Sequence, residues 1–508
     1  MRALRRLCVV ALLASPAALV AAAGPNLTVV ALAPESRTLV ASRDTTISVV
    51  FDRAVDPATV VARQSFWAFG RWSGPVDGTF GFSDANTIVT LTPDQPLSAG
   101  ESVMVVLSSE LAAMDGSPLR DGGYSYQFWV ASAASDLDFI EADVLTTRTV
   151  PEEPSRAYGG FATDLDGDGF PDLTIVNEDT SDLRVFMNQT GGTGLFDPFL
   201  MPTSPTGSVP SPSEPSDFDR DGNADVATAN IVGSSVSILL GDGDGTFGPH
   251  QEIAVGGQAR GIAVLDVDGD GDVDLAVNSG PSGDFALLIN NGSGVFGAPQ
   301  HSGTGSGTPW GLGAADMDED GILDLVVGKQ GSQSVAVWTG NGDGTLSAQA
   351  SSSVGGAVWM ITIGDVNGDR HEDISAANSG NNNGAILLGD GAGTLGAPVT
   401  HAVDPFPLAT DLGDLDGDGD LDWIIASFNG DWSLFLNEGG VFSFDREFPA
   451  PQAASCSLMV DMDNDGDLDL ALIDELADEV SLRHNQGAGI FEDGFESGDT
   501  SAWSSTVP

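Results

Sequence analysis

Short apolar runs with a period of two, separated by glycine- and aspartate-rich turns, recur along most of the chain. No stretch carries the 3.6-residue apolar spacing of a helix. Before residue 132 the runs are LTVVAL (27–32), TTISVVF (45–51), TIVTLTP (87–93), ESVMVVLS (101–108) and YSYQFWVA (124–131). Alternation in TISVVF and SVMVVL predicts half-buried strands, and the spacing predicts a β-sandwich over 24–132. ASAASD (131–136) reads as a linker.

From 137 to 492 a different rule takes over. A nine-residue acidic phrase occurs seven times: DLDGDGFPD (164–172), DFDRDGNAD (217–225), DVDGDGDVD (266–274), DMDEDGILD (316–324), DVNGDRHED (365–373), DLDGDGDLD (414–422) and DMDNDGDLD (461–469). Their starts lie 53, 49, 50, 49, 49 and 47 residues apart. In the third copy one strand enters the phrase (261–267), a second leaves it (274–279), and a third follows (284–290) before a glycine turn and an outer strand. Four short strands in such a period are one propeller blade. The predicted fold is all-β, a sandwich followed by a seven-bladed β-propeller. DFIEADVLTTR (138–148) precedes the first phrase and is expected to close the ring by completing the last blade. MPTSPTGSVPSPSEP (201–215), dense in proline and serine, is expected to be an exposed loop rather than a strand.

Charge narrows the function classes. The chain has 74 acids against 18 bases, a formal net charge of -56, which argues against nucleic acid and anionic membrane as partners. Residues 1–23 read as a secretory signal, with Arg2, Arg5 and Arg6 before an apolar core and Ala21–Ala23 at a cleavage site. The alternative is a membrane anchor, but the apolar run is short, and no later stretch is long enough to span a bilayer. Export leaves Cys456 as the only cysteine, in a strand-like apolar run, so no intramolecular disulfide is possible and a small buried hydrophobe is the better reading. A secreted or cell-surface location follows. The tail 493–508 leaves the repeat; it reads as disordered or as a sorting segment.

The seven phrases hold thirty aspartates. Such density repels itself unless a cation neutralises it. Short carboxylates at alternate positions of a tight turn suit Ca2+, which takes six to eight oxygens, better than Mg2+. Glycine at position six permits a positive φ. The fifth phrase departs from the rest: Asn367 replaces an acid, and Arg370 replaces the glycine. Its turn is expected to be strained or differently shaped, and its calcium affinity the weakest.

Together with the turns GDGTFG (243–248), GSGVFG (292–297), GDGTLS (342–347) and GAGTLG (391–396), these phrases resemble the FG-GAP repeats of integrin α-subunit propellers. The N-terminal segments VVFDRAVDPATV (49–60) and DGSPLRDGGYSYQFWV (115–130) resemble bacterial Ig-like domains, which implies a spacer or adhesion module. The FG-GAP resemblance implies side-chain ligation of calcium from positions 1, 3, 5 and 9 and carbonyl ligation from position 7. The first set is then Asp164, Asp166, Asp168 and Asp172 with Phe170; the second Asp217, Asp219, Asp221 and Asp225 with Asn223; the third Asp266, Asp268, Asp270 and Asp274 with Asp272. The fourth is Asp316, Asp318, Asp320 and Asp324 with Ile322; the fifth Asp365, Asn367, Asp369 and Asp373 with His371. The sixth is Asp414, Asp416, Asp418 and Asp422 with Asp420, and the seventh Asp461, Asp463, Asp465 and Asp469 with Asp467.

No nucleophile elbow, phosphate loop or zinc-protease motif is present, and the five histidines stand in no metal-ligand pair. Six residues before each phrase stand Tyr158, Ser211, Arg260, Trp310, Trp359, Leu408 and Ser455, where each innermost strand begins. Tyr158, Arg260, Trp310 and Trp359 are therefore candidates for a partner-binding rim on the face opposite the calcium loops, for a sugar ring or a cationic side chain. They could equally plug the channel. The leading functional expectation is a calcium-stabilised binding or adhesion protein without catalysis, with a protein or glycan partner. The alternatives are a propeller-based polysaccharide hydrolase or lyase and a plain structural component.

Overall fold

A computed structural model describes residues 25–189, 193–305 and 307–487. The segment read as an export signal and the tail 493–508 lie outside the described residues. The chain is all-β, with an N-terminal two-sheet unit and then seven four-stranded antiparallel sheets.

The N-terminal unit pairs Val29–Ala33, Ile47–Phe51, Ile88–Pro93 and Gly78–Ser83 in one sheet, and Gly74–Pro75, Phe66–Gly70, Ser102–Leu107 and Tyr124–Trp129 in the other. Ile47, Val49 and Phe51 of the first sheet meet Phe66, Val103, Val105 and Phe128 of the second in one core. Sequence periodicity locates five of these strands and misses Phe66–Gly70, Gly74–Pro75 and Gly78–Ser83. It also predicts Ser102–Leu107 to be half-buried, whereas five of its six residues are buried. The reason is a second layer. Val103 and Val105 fill the sandwich core, while Met104 and Val106 on the other face pack with Val267 and Leu323 of the repeats.

Each repeat sheet begins with a strand that ends at an acidic loop: Ala157–Thr163, Pro210–Ser216, Ile262–Leu265, Pro309–Ala315, Val358–Gly364, Pro407–Gly413 and Ala454–Val460. These first strands pack one against the next, and the last packs against the first. The second strands, from Asp172–Asn177 to Asp469–Asp474, are buried throughout. Neighbouring sheets cover both of their faces, which explains their near-continuous apolar composition. The last sheet takes its fourth strand, Ile140–Thr146, from before the first repeat, paired antiparallel with Glu479–His484.

Pro210–Ser216 corrects the expectation of an exposed loop at 201–215, since its second half is a first strand. A first strand is an edge strand whose free side faces the ring's centre, so the amide protons missing from Pro210, Pro212 and Pro215 need not break the ladder. Six of the seven first strands carry a register irregularity near their start, at 157/159, 210/213, 309/312, 358/360, 407/409 and 454/456. These bulges leave Tyr158, Trp310, Trp359, Leu408 and Ser455 out of the pairing.

Candidate metal centres and the channel cluster

The local sequence builds all seven acidic loops alike. The position-1 carboxylate accepts the amide of position 6: Gly169 to Asp164 at 2.9 Å, Gly271 to Asp266 at 3.0 Å and, in the departing fifth loop, Arg370 to Asp365 at 2.7 Å. Positions 4 and 6 are both left-handed, so the turn needs two such residues where the sequence points to one. Gly167 and Gly169 have φ of 74° and 89°; Gly368 and Arg370 have 73° and 69°. Arg370 keeps the common loop shape with a non-glycine residue in that region, as Arg220, Glu319 and Asn464 do at position 4 of the second, fourth and seventh loops. The fifth loop is distinct in carrying it at position 6, and is strained there rather than differently folded.

The position-9 aspartate does more than the sequence suggests. It opens the second strand and clamps the loop at both ends. In the sixth loop Asp422 accepts the amides of Leu415 at 3.0 Å and Asn437 at 2.9 Å; in the first, Asp172 accepts those of Leu165 at 3.0 Å and Asn188 at 2.7 Å. Asn188, Asn290, Asn437 and Asn485, which the sequence reading missed, extend the clamp. Each side-chain amide donates to a position-2 carbonyl of the preceding loop around the ring: Met462, Phe218, Val366 and Leu415. Their signal is an asparagine recurring just before the glycine turn. The turns join in as well, Gly294 to Phe218 and Gly344 to Val267, which is why both phrases recur together.

The loops fit a hard cation. One oxygen from each of Asp164, Asp166 and Asp172 lies within 4.8 Å of the others, and so it is with Asp217, Asp219 and Asp225 and with Asp266, Asp268 and Asp274. Carboxylate oxygens of Asp217, Asp414 and Asp461 are buried with no hydrogen-bond partner. Burial above all, and neighbouring carboxylates second, push Asp172, Asp225, Asp324 and Asp422 up to about 8, and Asp217, Asp266 and Asp461 to about 7. Such a donor set binds either protons or a cation, and its all-oxygen chemistry suits calcium.

The seventh loop gains a group from outside its own phrase. In the seventh, Asp463 and Asp469 converge with His484, a residue outside the acidic phrase. The sequence offers no metal-ligand pair for this histidine; the fold sets it beside two aspartates of the loop. Its signal is a ring at the place held by Met187, Leu240 and Ile289 in other repeats. His371, expected to act only through its carbonyl, sets Nδ1 2.6 Å from Glu319 of the fourth loop.

The N-terminal unit is not a free spacer. Together with the linker after it, it reaches every loop. Ser109, Ser125 and Ala133 donate amides to the carbonyls of Gly269, Gly321 and Gly466, and Trp72 accepts the Asp164 amide. Arg63 donates to the Asp221 carbonyl, Ser132 to the Asp414 carbonyl, and Glu35 pairs with Arg370.

At the opposite end the structure gathers the predicted rim. Trp359 Nε1 donates to the Tyr158 hydroxyl at 2.8 Å, Trp310 meets Trp359 edge-on with ring centres 3.9 Å apart, and the Arg260 guanidinium lies 4.2 Å from the Trp310 ring centre. All four retain partial exposure. Burial pushes the Tyr158 hydroxyl upward. Between this cluster and the N-terminal unit lies a cavity of about 290 Å³ lined by first strands of all seven sheets and by Arg71, Met104 and Trp129. Arg71 pairs with Asp411 at 3.0 Å, whereas Glu214 faces the cavity and makes no hydrogen bond among the described residues. Cys456 is buried in the cavity wall, its thiol pushed up to about 11 by burial.

The FG-GAP-like repeat model matches six overlapping stretches that run from 164 to 472. The chain belongs to the FG-GAP-like repeat family. Residues 24–130 match the bacterial Ig-like domain. No curated protein matches this FG-GAP chain. Among solved structures, BBS1N in complex with ARL6DN is 14% identical with a TM-score of 0.48, covering 68% of this chain and 96% of its own. An Agrocybe aegerita lectin recognising non-reducing terminal N-acetylglucosamine is 17% identical with a TM-score of 0.40, covering 78% and 93%. A Lactobacillus plantarum protein is 13% identical with a TM-score of 0.45, covering 77% and 98%. Likenesses this distant carry no function to this chain.

Proposed function

We propose that the seven sheets are the blades of a closed seven-bladed propeller, stapled by calcium in its acidic loops, and that the exported protein binds a protein or glycan partner without catalysing a reaction. Side-chain oxygens of the loop Asp and Asn residues, with position-7 carbonyls, would hold the ion, which supplies neutralisation of the packed carboxylates rather than chemistry. One observation carries the choice of face. The Ig-like domain and the linker after it cover the loop side at all seven loops, so the ring's opposite face, bearing Tyr158, Arg260, Trp310 and Trp359, is left for a partner. Aromatic edges beside a guanidinium suit a sugar ring or a polar protein side chain.

A glycan and protein array probed with calcium and with chelator tests this reading. Binding that disappears in the Trp310→Ala, Trp359→Ala double variant supports it. Turnover of an arrayed polysaccharide would replace it with a hydrolase or lyase.

A further inference from the structure

Arg37 belongs to the Ig-like domain yet sits in the fourth acidic loop. It is only 9% exposed. One nitrogen, Nη2, lies 2.8 Å from the Asp316 carbonyl and 3.0 Å from Asp316 Oδ2, and further carboxylates stand near the guanidinium, Glu372 at 3.8 Å and Glu319 at 3.9 Å. The backbone of Arg37 is itself left-handed, with φ of 62°, a conformation an L-residue adopts only under outside constraint. Other arginines of the domain treat the loops differently. Arg63 binds only the position-5 carbonyl of the second loop, Arg120 binds the position-5 carbonyl of this same fourth loop, and Arg43 stays 3.7 Å from Asp461 and is partly exposed. Oxygens of Asp316, Asp318 and Asp320 converge in the fourth loop, so the guanidinium sits beside a set that could hold a cation.

We infer that Arg37 is the built-in counter-cation of the fourth loop, so that this loop takes up a divalent cation last and only as Arg37 withdraws. The inference rests on the calcium reading of the loops. It makes the fourth loop, rather than the strained fifth, the weakest site, and it links cation uptake there to the seating of the Ig-like domain. A guanidinium and a divalent ion held at close range on the one Asp316 carboxylate repel each other, so each weakens the other's hold. The oxygen of Asp318 that is buried without a partner is the group an incoming ion would engage as Arg37 leaves.

Calcium titration by calorimetry on the full chain tests this with three variants. Asp266→Asn, in the third loop, loses one tightly held ion. Asp316→Asn loses none of the tight ions, only the weakest. Arg37→Met tightens that weakest ion by at least about tenfold. A tight ion lost in Asp316→Asn, or an unchanged isotherm in Arg37→Met, overturns the inference. A wild-type chain that takes up no calcium defeats the calcium reading instead, and the decision then passes to limited proteolysis of the linker 131–136 in chelator. There Arg37→Met is cut faster than wild type if the arginine anchors the domain, and equal cutting rejects it.

Discussion

The indole nitrogen of Trp359 donates to the Tyr158 hydroxyl at 2.8 Å, tying the fifth sheet to the first across the ring. Both residues stand at bulges that release them from their strands. Trp359→Phe keeps a ring and deletes the donor, so it is expected to cost about 1 kcal/mol in equilibrium unfolding. The Trp310→Ala, Trp359→Ala double variant is expected to lose partner binding while still unfolding cooperatively. Failure of that variant to fold assigns the cluster to plugging the channel.

Two aspartates of the sixth loop separate structural from cation-dependent roles. Asp422→Asn turns one of two amide acceptors into a donor facing an N–H, and is expected to cost about 1–3 kcal/mol both with calcium and in chelator. Asp416→Asn removes an oxygen that accepts only the Asp418 amide, at 3.2 Å, and is expected to destabilise the chain chiefly when calcium is present. Denaturation curves of both variants in the two conditions check this.

Arg370 holds a left-handed conformation suited to glycine, and its partner Glu35 is an exposed acid whose pairing contributes little. Arg370→Gly is therefore expected to stabilise the chain, by roughly 0.5–1 kcal/mol net of the lost pair, in thermal or urea unfolding.

Burial pushes the Glu214 carboxyl up to about 7, with Arg71 opposing the shift and Asp411 adding to it. The native state thus holds a proton that the unfolded chain releases near 4.5. Stability from this group is greatest below 4.5 and falls as pH rises to about 7. Under saturating calcium, Glu214→Gln is expected to flatten that fall and to be more stable than wild type at pH 8. Unfolding free energies at pH 5 and pH 8 measure the difference.

Leu145 lies in the strand that completes the last sheet, opposite Val480, and both are buried. Leu145→Ala is expected to cost about 2–4 kcal/mol. Deletion of 137–150 is expected to replace the single unfolding transition with broad or multiple ones, read by calorimetry.

The sequence by itself determined the all-β class, the number of repeats, the acidic loops and the glycine turns. Each of these depends on residues within a few positions of one another, repeated seven times, so the alternation and the turn chemistry are written locally. It also marked Tyr158, Arg260, Trp310 and Trp359, because equal spacing from each loop puts them at equal depth. Tertiary structure decided the rest. Arg37 and Asp316 meet across 279 residues of chain, and no local pattern encodes which face of a ring a separate domain will cover. The alternation of Ser102–Leu107 hid its second buried face, the prolines of Pro210–Ser216 masked a strand with one free edge, and His484 gained its acidic neighbours only when the last sheet closed. In each case the deciding feature lies outside the segment, in a second packed layer, a free sheet edge or a neighbouring strand, which the segment's own residues do not record.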